Sequence, residues 1–250
     1  MSTIQSTGPQ APARARGTKR KLSLDRRYLP VLGTGVIFAL ILAIGGTRYD
    51  NFLSGAVISN LFINNAFLIV IAVGMTFVII TGGIDLSVGA VIAFTGILAA
   101  SLFESGWPAV IVIPIMILSG ALIGFVVGIM VQVFEIQPFI ATLAAMFLAR
   151  GLAFVVSLNS ITITDPTIVW LSSTRISLGG KWVITPSVII ALAVVAVAFF
   201  VLHYTEFGRT VYAIGGGEQS AILMGLPVAR TKVLVYVISG VCAGIGGLPF

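Results

Sequence analysis

Apolar residues run along this chain in blocks of about 17–26, separated by short polar interruptions. A helix needs roughly 20 such residues to cross the hydrocarbon core of a bilayer. Read that way, the pattern predicts an all-α polytopic membrane protein with about seven transmembrane helices. They cover Leu29–Gly46, Leu61–Ile80, Leu86–Phe103, Ala109–Phe134, Phe139–Val156, Trp182–Leu202 and a last one from Val233. Asn51–Asn60 reads as a short interfacial segment, and Ser157–Lys181 as a long polar loop. Pro138 suits the first turn of the fifth helix.

The sharpest interruption is Thr81-Gly82-Gly83-Ile84-Asp85-Leu86-Ser87-Val88-Gly89. Asp85 is the one formal charge between Asp50 and Glu104. A carboxylate inside a membrane segment costs about 2.5–3.5 kcal/mol on insertion scales, so it faces protein or water. Gly82 and Gly83 let the backbone leave helical geometry. Broken backbone at membrane depth is tolerated where it is buried in protein or lines a wet cavity. Two readings stand: a turn with Asp85 capping the next helix, and part of a transport pathway. Asn64, Asn65, Ser87 and Arg150 join Gly82, Gly83 and Asp85 as pathway candidates. Arg150 could snorkel to the interface or pair with a carboxylate in the bundle. Gly120, Gly124 and Gly128 mark one face of the fourth helix, for a subunit interface or for packing within the chain.

Composition agrees with this picture. Only 9% of the 250 residues are charged, where a soluble domain carries about 25%. The net charge of +6 is not a nucleic-acid signature, because half of the 14 basic residues lie before the first apolar run. Residues 1–28 read as a basic cytoplasmic arm, disordered in its first half; residues 29–250 read as the transmembrane domain. The arm and first run suit an uncleaved signal anchor. With the N-terminus inside, ten basic residues fall on the cytoplasmic side and three (Arg48, Arg175, Lys181) outside, as the charge bias of membrane proteins requires. Cys242 and His203 each stand alone, so neither a disulfide nor a metal cluster is expected. No nucleophile–base constellation points to an enzyme.

The inner segment Thr205–Pro227 holds Gly215-Gly216-Gly217 without a preceding strand or a third spaced glycine, and no GxxxxGK[ST] occurs anywhere. Glu218–Met224 reads as a short helix ended by Gly225 and Pro227. Its apolar face has no evident cover and should lie in a partner's groove.

Three stretches carry a family resemblance: Thr81–Gly89, Gln137–Leu143 with Arg150-Gly151, and Phe207-Gly208-Arg209 through Ala213–Gly216. In this order they resemble permease subunits of bacterial sugar ABC importers, the ribose, arabinose and galactofuranose group. Asn65–Leu68 and Ala72–Ile79 look most like a galactofuranose permease. The resemblance implies a translocation path for a pentose or furanose-form hexose. It implies no cofactor in this chain, with ATP and Mg held by separate ATP-binding cassette subunits. A second permease subunit and a periplasmic sugar-binding protein complete the implied assembly, in the cell inner membrane. The family's coupling helix, E-A-A-x-x-x-G, is matched by Gln219-Ser220-Ala221 through Gly225, so Glu218, Gln219, Ser220, Ala221 and Gly225 are the expected ATPase-docking residues. The family also continues with further spans, so the chain reads as truncated, its final glycines lacking the close neighbour they need. The alternative function is an ion-coupled secondary transporter of a small polar solute, using Asp85 and Arg150 as a relay.

Overall fold

A computed structural model describes residues 29–49, 51–52 and 54–248. The basic arm, residues 1–28, lies outside the described residues. Residues 1–52 and 53–250 form separate units. In the first, α1 (Leu29–Arg48) closes on the ring of Phe52, which lies where a Cβ on Gly45 would stand.

The second unit contains α2 (Gly55–Ile80), α3 (Val88–Glu104), α4 (Ala109–Gln132), α5 (Pro138–Val156) and α6 (Pro166–Ser173). A hairpin follows, β1 (Ile176–Gly179) paired antiparallel with β2 (Trp182–Ile184). Then come α7 (Pro186–Tyr204), α8 (Glu206–Gly216), α9 (Glu218–Leu223) and α10 (Val228–Gly246). Among the described residues, α2, α4, α5, α7 and α10 are long and apolar enough to cross a membrane, while α3 and the described part of α1 are apolar but shorter.

Several sequence boundaries move. Ser54 caps α2 through its hydroxyl, so the chain from Gly55 to Asn60 is the first turns of one long helix and not a separate interfacial piece. Trp182 belongs to a strand, and α7 starts behind Thr185 with Pro186 in its first turn. The long polar loop carries its own helix, α6, capped by the Asp165 carboxylate on the amides of Thr167 and Ile168. Pro138 does open α5.

The most enclosed spanning helix is α10, half of it buried in the chain. Its neighbour is α4, and the contact is backbone on backbone. A Cβ on Gly120 would strike the carbonyl oxygen of Gly240, one on Gly240 that of Gly120, and one on Gly124 that of Tyr236. Farther along, a Cβ on Gly128 would come within 2.9 Å of Val233 Cα, and one on Gly244 within 2.9 Å of Ile117 Cα. Lipid tails are as apolar as leucine, so helices in a bilayer associate through close van der Waals packing rather than through expulsion of water. Here glycine lets two backbones meet, with Cα–H groups directed at carbonyls, contacts worth roughly 0.5–1 kcal/mol each. The stripe on α4 therefore serves packing within the chain. The expected lack of a neighbour for the final glycines is also overturned: α4 faces Gly240 and Gly244, Ile71 of α2 faces Gly246, and Thr95 of α3 faces Gly247.

Side chains fill the space around this seam. Phe77 of α2, Val91 of α3, Val127 of α4, Ala145 of α5, Val211 of α8 and Val235 of α10 belong to one buried cluster. Contacts also sort the loops into two ends. Gly215 of α8 abuts the carbonyl of Ile80, so α8 lies beside the turn after α2. At the opposite end of α2, Ser59 accepts the amide of Val183 at 3.0 Å, and Gly55 faces the Trp182 ring.

Candidate functional site

The turn after α2 is a Schellman stop. Gly82, at φ +75°, donates to Ile79 O at 3.0 Å, and Gly83 to Val78 O at 3.0 Å. A left-handed residue at this position satisfies carbonyls that the helix end would leave open, and glycine takes it without Cβ strain. From Gly83 to Ser87 the chain is neither helix nor strand, and its side chains alternate. Ile84 and Leu86 point outward; Asp85 and Ser87 point inward and are buried.

Asp85 is fully engaged. Its Oδ1 accepts the Ser87 amide at 2.9 Å and the Ser87 hydroxyl at 2.6 Å. Its Oδ2 accepts the hydroxyl of Ser239, on α10, at 2.7 Å. Charge-assisted bonds of this kind are about twice as strong as neutral ones, which offsets the burial of the carboxylate. The expected cap on α3 is corrected: the N-cap position is Ser87, whose side chain makes no cap bond, and Asp85 ties the turn to α10 instead. Tyr236, also buried, stands one helical turn before Ser239, with its hydroxyl where a Cβ on Gly83 would be 2.8 Å away.

The depth of this junction follows from α10. At 1.5 Å per residue, Ser239 lies about 10 Å beyond Lys232, the last charge on that helix. The Asp85 turn is thus joined to α10 beyond the last charge of that helix.

The remaining candidates are not gathered here. Asn65 donates its side-chain amide to Leu61 O of its own helix at 2.8 Å, and Asn64 faces away from the chain. Arg150 is exposed on α5, about 9 Å along the axis from Val156. That is within snorkelling reach of the helix end. Among the described residues the ion pairs are Arg209–Glu206 and Lys232–Glu218, so the Asp85–Arg150 relay of the alternative reading has no geometric basis.

At the end of the bundle where α8 lies, α9 ends in a second Schellman stop. Gly225, at φ +74°, donates to Ile222 O at 2.9 Å, and Leu226 to Ala221 O at 3.1 Å. Ala221 is buried against Ile214 and Val228, so part of the apolar face expected to be bare is covered by the chain itself. Ile222, Leu223 and Met224 stay exposed, Leu223 at 87%. Gln219 and Ser220 are exposed too, whereas the half-exposed Glu218 accepts hydrogen bonds from Lys232. Sequence reasoning misses Ser239, Tyr236 and Lys232. The first two sit in an apolar run with no local signal, and Lys232 reads as a boundary charge.

Comparison with known proteins bears on what this arrangement serves. Residues 57–250 match the family described as branched-chain amino acid transport system / permease component. The chain is 41% identical over 256 residues to the fructose import permease protein FruG of Bifidobacterium longum, covering 100% of this chain and 74% of that protein. It is 40% identical to the inner membrane ABC transporter permease protein YjfF of Escherichia coli, over 90% of this chain and 68% of that one. Identity to the ribose import permease protein RbsC of Haemophilus influenzae is 37%, over 89% and 69%. None of the three names carries galactofuranose. No solved structure matches the chain. A family match over nearly the whole second unit, with relatives named as permeases at 37–41% identity, shows that the chain belongs to the branched-chain amino acid transport system permease family and is a transport component rather than an enzyme.

Proposed function

We propose that this chain lines the translocation path for a sugar in an ATP-driven importer of the bacterial cytoplasmic membrane. The observation that carries the reading is the likeness to permeases named for fructose and ribose import. The substrate class is a pentose or a furanose-form hexose, with galactofuranose the finer expectation. A periplasmic binding protein delivers the sugar, and a second permease subunit completes the path.

ATP and Mg belong to ATP-binding cassette subunits that seat on α9. The exposed Ile222, Leu223 and Met224 on a backbone fixed by Gly225 support that docking role. The end bearing α8 and α9 is then cytoplasmic, as is the N-terminus, in line with the basic residues gathered there. Gly82, Gly83, Asp85 and Ser87 hold the broken helix at depth. Asn64 is an amide facing outward from an apolar helix, which suits a neighbouring subunit or the path better than lipid.

Uptake of labelled fructose, ribose, arabinose and galactofuranose, in cells with and without the gene, tests the reading. Loss of uptake of one of them is expected. Unchanged uptake of all sugars tried, at normal levels of the partner subunits, would overturn it.

A further inference from the structure

We infer that the Glu218–Lys232 ion pair is a strut that carries movement of α9 into α10 and so to the Asp85 turn, an inference that rests on the docking of α9 proposed above. The pair is bidentate in effect: Lys232 Nζ donates to Glu218 Oε1 at 2.9 Å and to Oε2 at 3.0 Å. Exposed ion pairs of long side chains hold little; here the Glu218 side chain is 42% exposed, but the Lys232 side chain is only 19% exposed. Otherwise α9 is held to the chain by its flanking turns and by Ala221, a single small side chain. Packing of that kind lets a six-residue helix rock; two hydrogen bonds fix its first residue to α10.

The position of Lys232 on α10 decides where such movement goes. Lys232, Tyr236 and Ser239 are spaced i, i+4, i+7 and therefore share one stripe. That stripe carries the strut, the tyrosine against Gly83 and the serine bonded to Asp85. Gly240 and Gly244 lie against α4 instead, so the seam guides α10 while the stripe links the strut to the Asp85 turn. Glu218 is thus a positioning residue and not a docking contact.

The test uses the whole transporter in proteoliposomes, with its ATP-binding subunits and binding protein. Lys232→Met, Glu218→Gln and the exchange Glu218→Lys with Lys232→Glu are compared per copy of inserted permease. Each single variant is expected to retain the ATP-binding subunit and to hydrolyse ATP, with sugar moved per ATP lowered on the order of tenfold. The exchange is expected to recover most of that loss, as a direct pair requires. A packing defect alone would lower hydrolysis and uptake together and leave their ratio unchanged.

A normal ratio in the single variants, or an exchange that recovers nothing, overturns the strut. Loss of the ATP-binding subunit from the Glu218→Gln variant overturns it too, by making Glu218 a docking contact. Leu223→Asp tests docking separately: if this variant keeps the subunit and full uptake, the docking reading falls and the strut with it. If it loses the subunit while the single variants couple normally, the strut alone falls.

Discussion

Two neighbours of α10 hold it in opposite ways. Against α4 it is sealed backbone to backbone, with glycines facing carbonyls along several turns. Against α9 it has one buried alanine and one ion pair. The first contact tolerates no added atom; the second is sparse and charged. A helix clamped on one side and tethered on the other can pass on a displacement without coming loose. The division follows from chemistry: close packing is the force available in lipid, whereas near water a charge pair can form and yield.

The widest test of that contrast is at the seam. Gly240→Leu places atoms where the Gly120 carbonyl sits. Overpacking of this order costs about 1–3 kcal/mol, with backbone contact at the upper end. Correctly assembled protein, followed by thermal unfolding in detergent, should drop more than for a substitution at Asp85, Gly225 or Ser59. A variant that assembles normally would show the seam to be loose.

Asp85→Ala comes next. It leaves the hydroxyls of Ser87 and Ser239 and one amide without their acceptor, at a cost of about 1–3 kcal/mol. Uptake should fall further than membrane abundance, and Asp85→Asn, which keeps an acceptor oxygen, should recover part of it. Equal uptake per copy in wild type and Asp85→Ala would reduce the aspartate to a turn residue.

On the tethered side, Gly225→Val forces a β-branched residue to φ +74°. Left-handed backbone costs roughly 1–2 kcal/mol for an ordinary residue. The protein should stay in the membrane while stimulated ATP hydrolysis and uptake part company; unchanged coupling would mean that α9 needs no fixed end. Ser59→Ala is the smallest step. It removes the acceptor of the Val183 amide, worth about 1 kcal/mol, and should lower the melting temperature by about 2–4 °C with transport intact. A larger loss than at Gly240 would move the rigid part of the molecule to the hairpin.

The membrane character, the helix breaks and the short helix α9 are legible in the sequence because they are local. A run of apolar residues, a proline before a helix or a glycine after one acts within a turn or two. So Gly82, Gly225 and Pro138 can be placed from sequence. The partners of Asp85 cannot, since Ser239 is 154 residues away and a serine in an apolar run announces nothing. Sequence puts the start of α10 five residues late because Arg230 and Lys232 read as loop charges, whereas a helix that emerges from the bilayer keeps its charges on its own first turns. Trp182 reads as membrane for the same lack of context; hairpin register depends on Ile176 and Ile184 together.

The span between Asp85 and Ser239 also sets an order in time. Ribosomes add roughly 5–20 residues per second, so the serine is made about 8–30 s after the aspartate it bonds. During that interval Asp85 has Ser87 alone, and the glycine face of α4 waits almost as long for its mate. The Asp85 turn and the glycine face of α4 are therefore completed together, when α10 arrives.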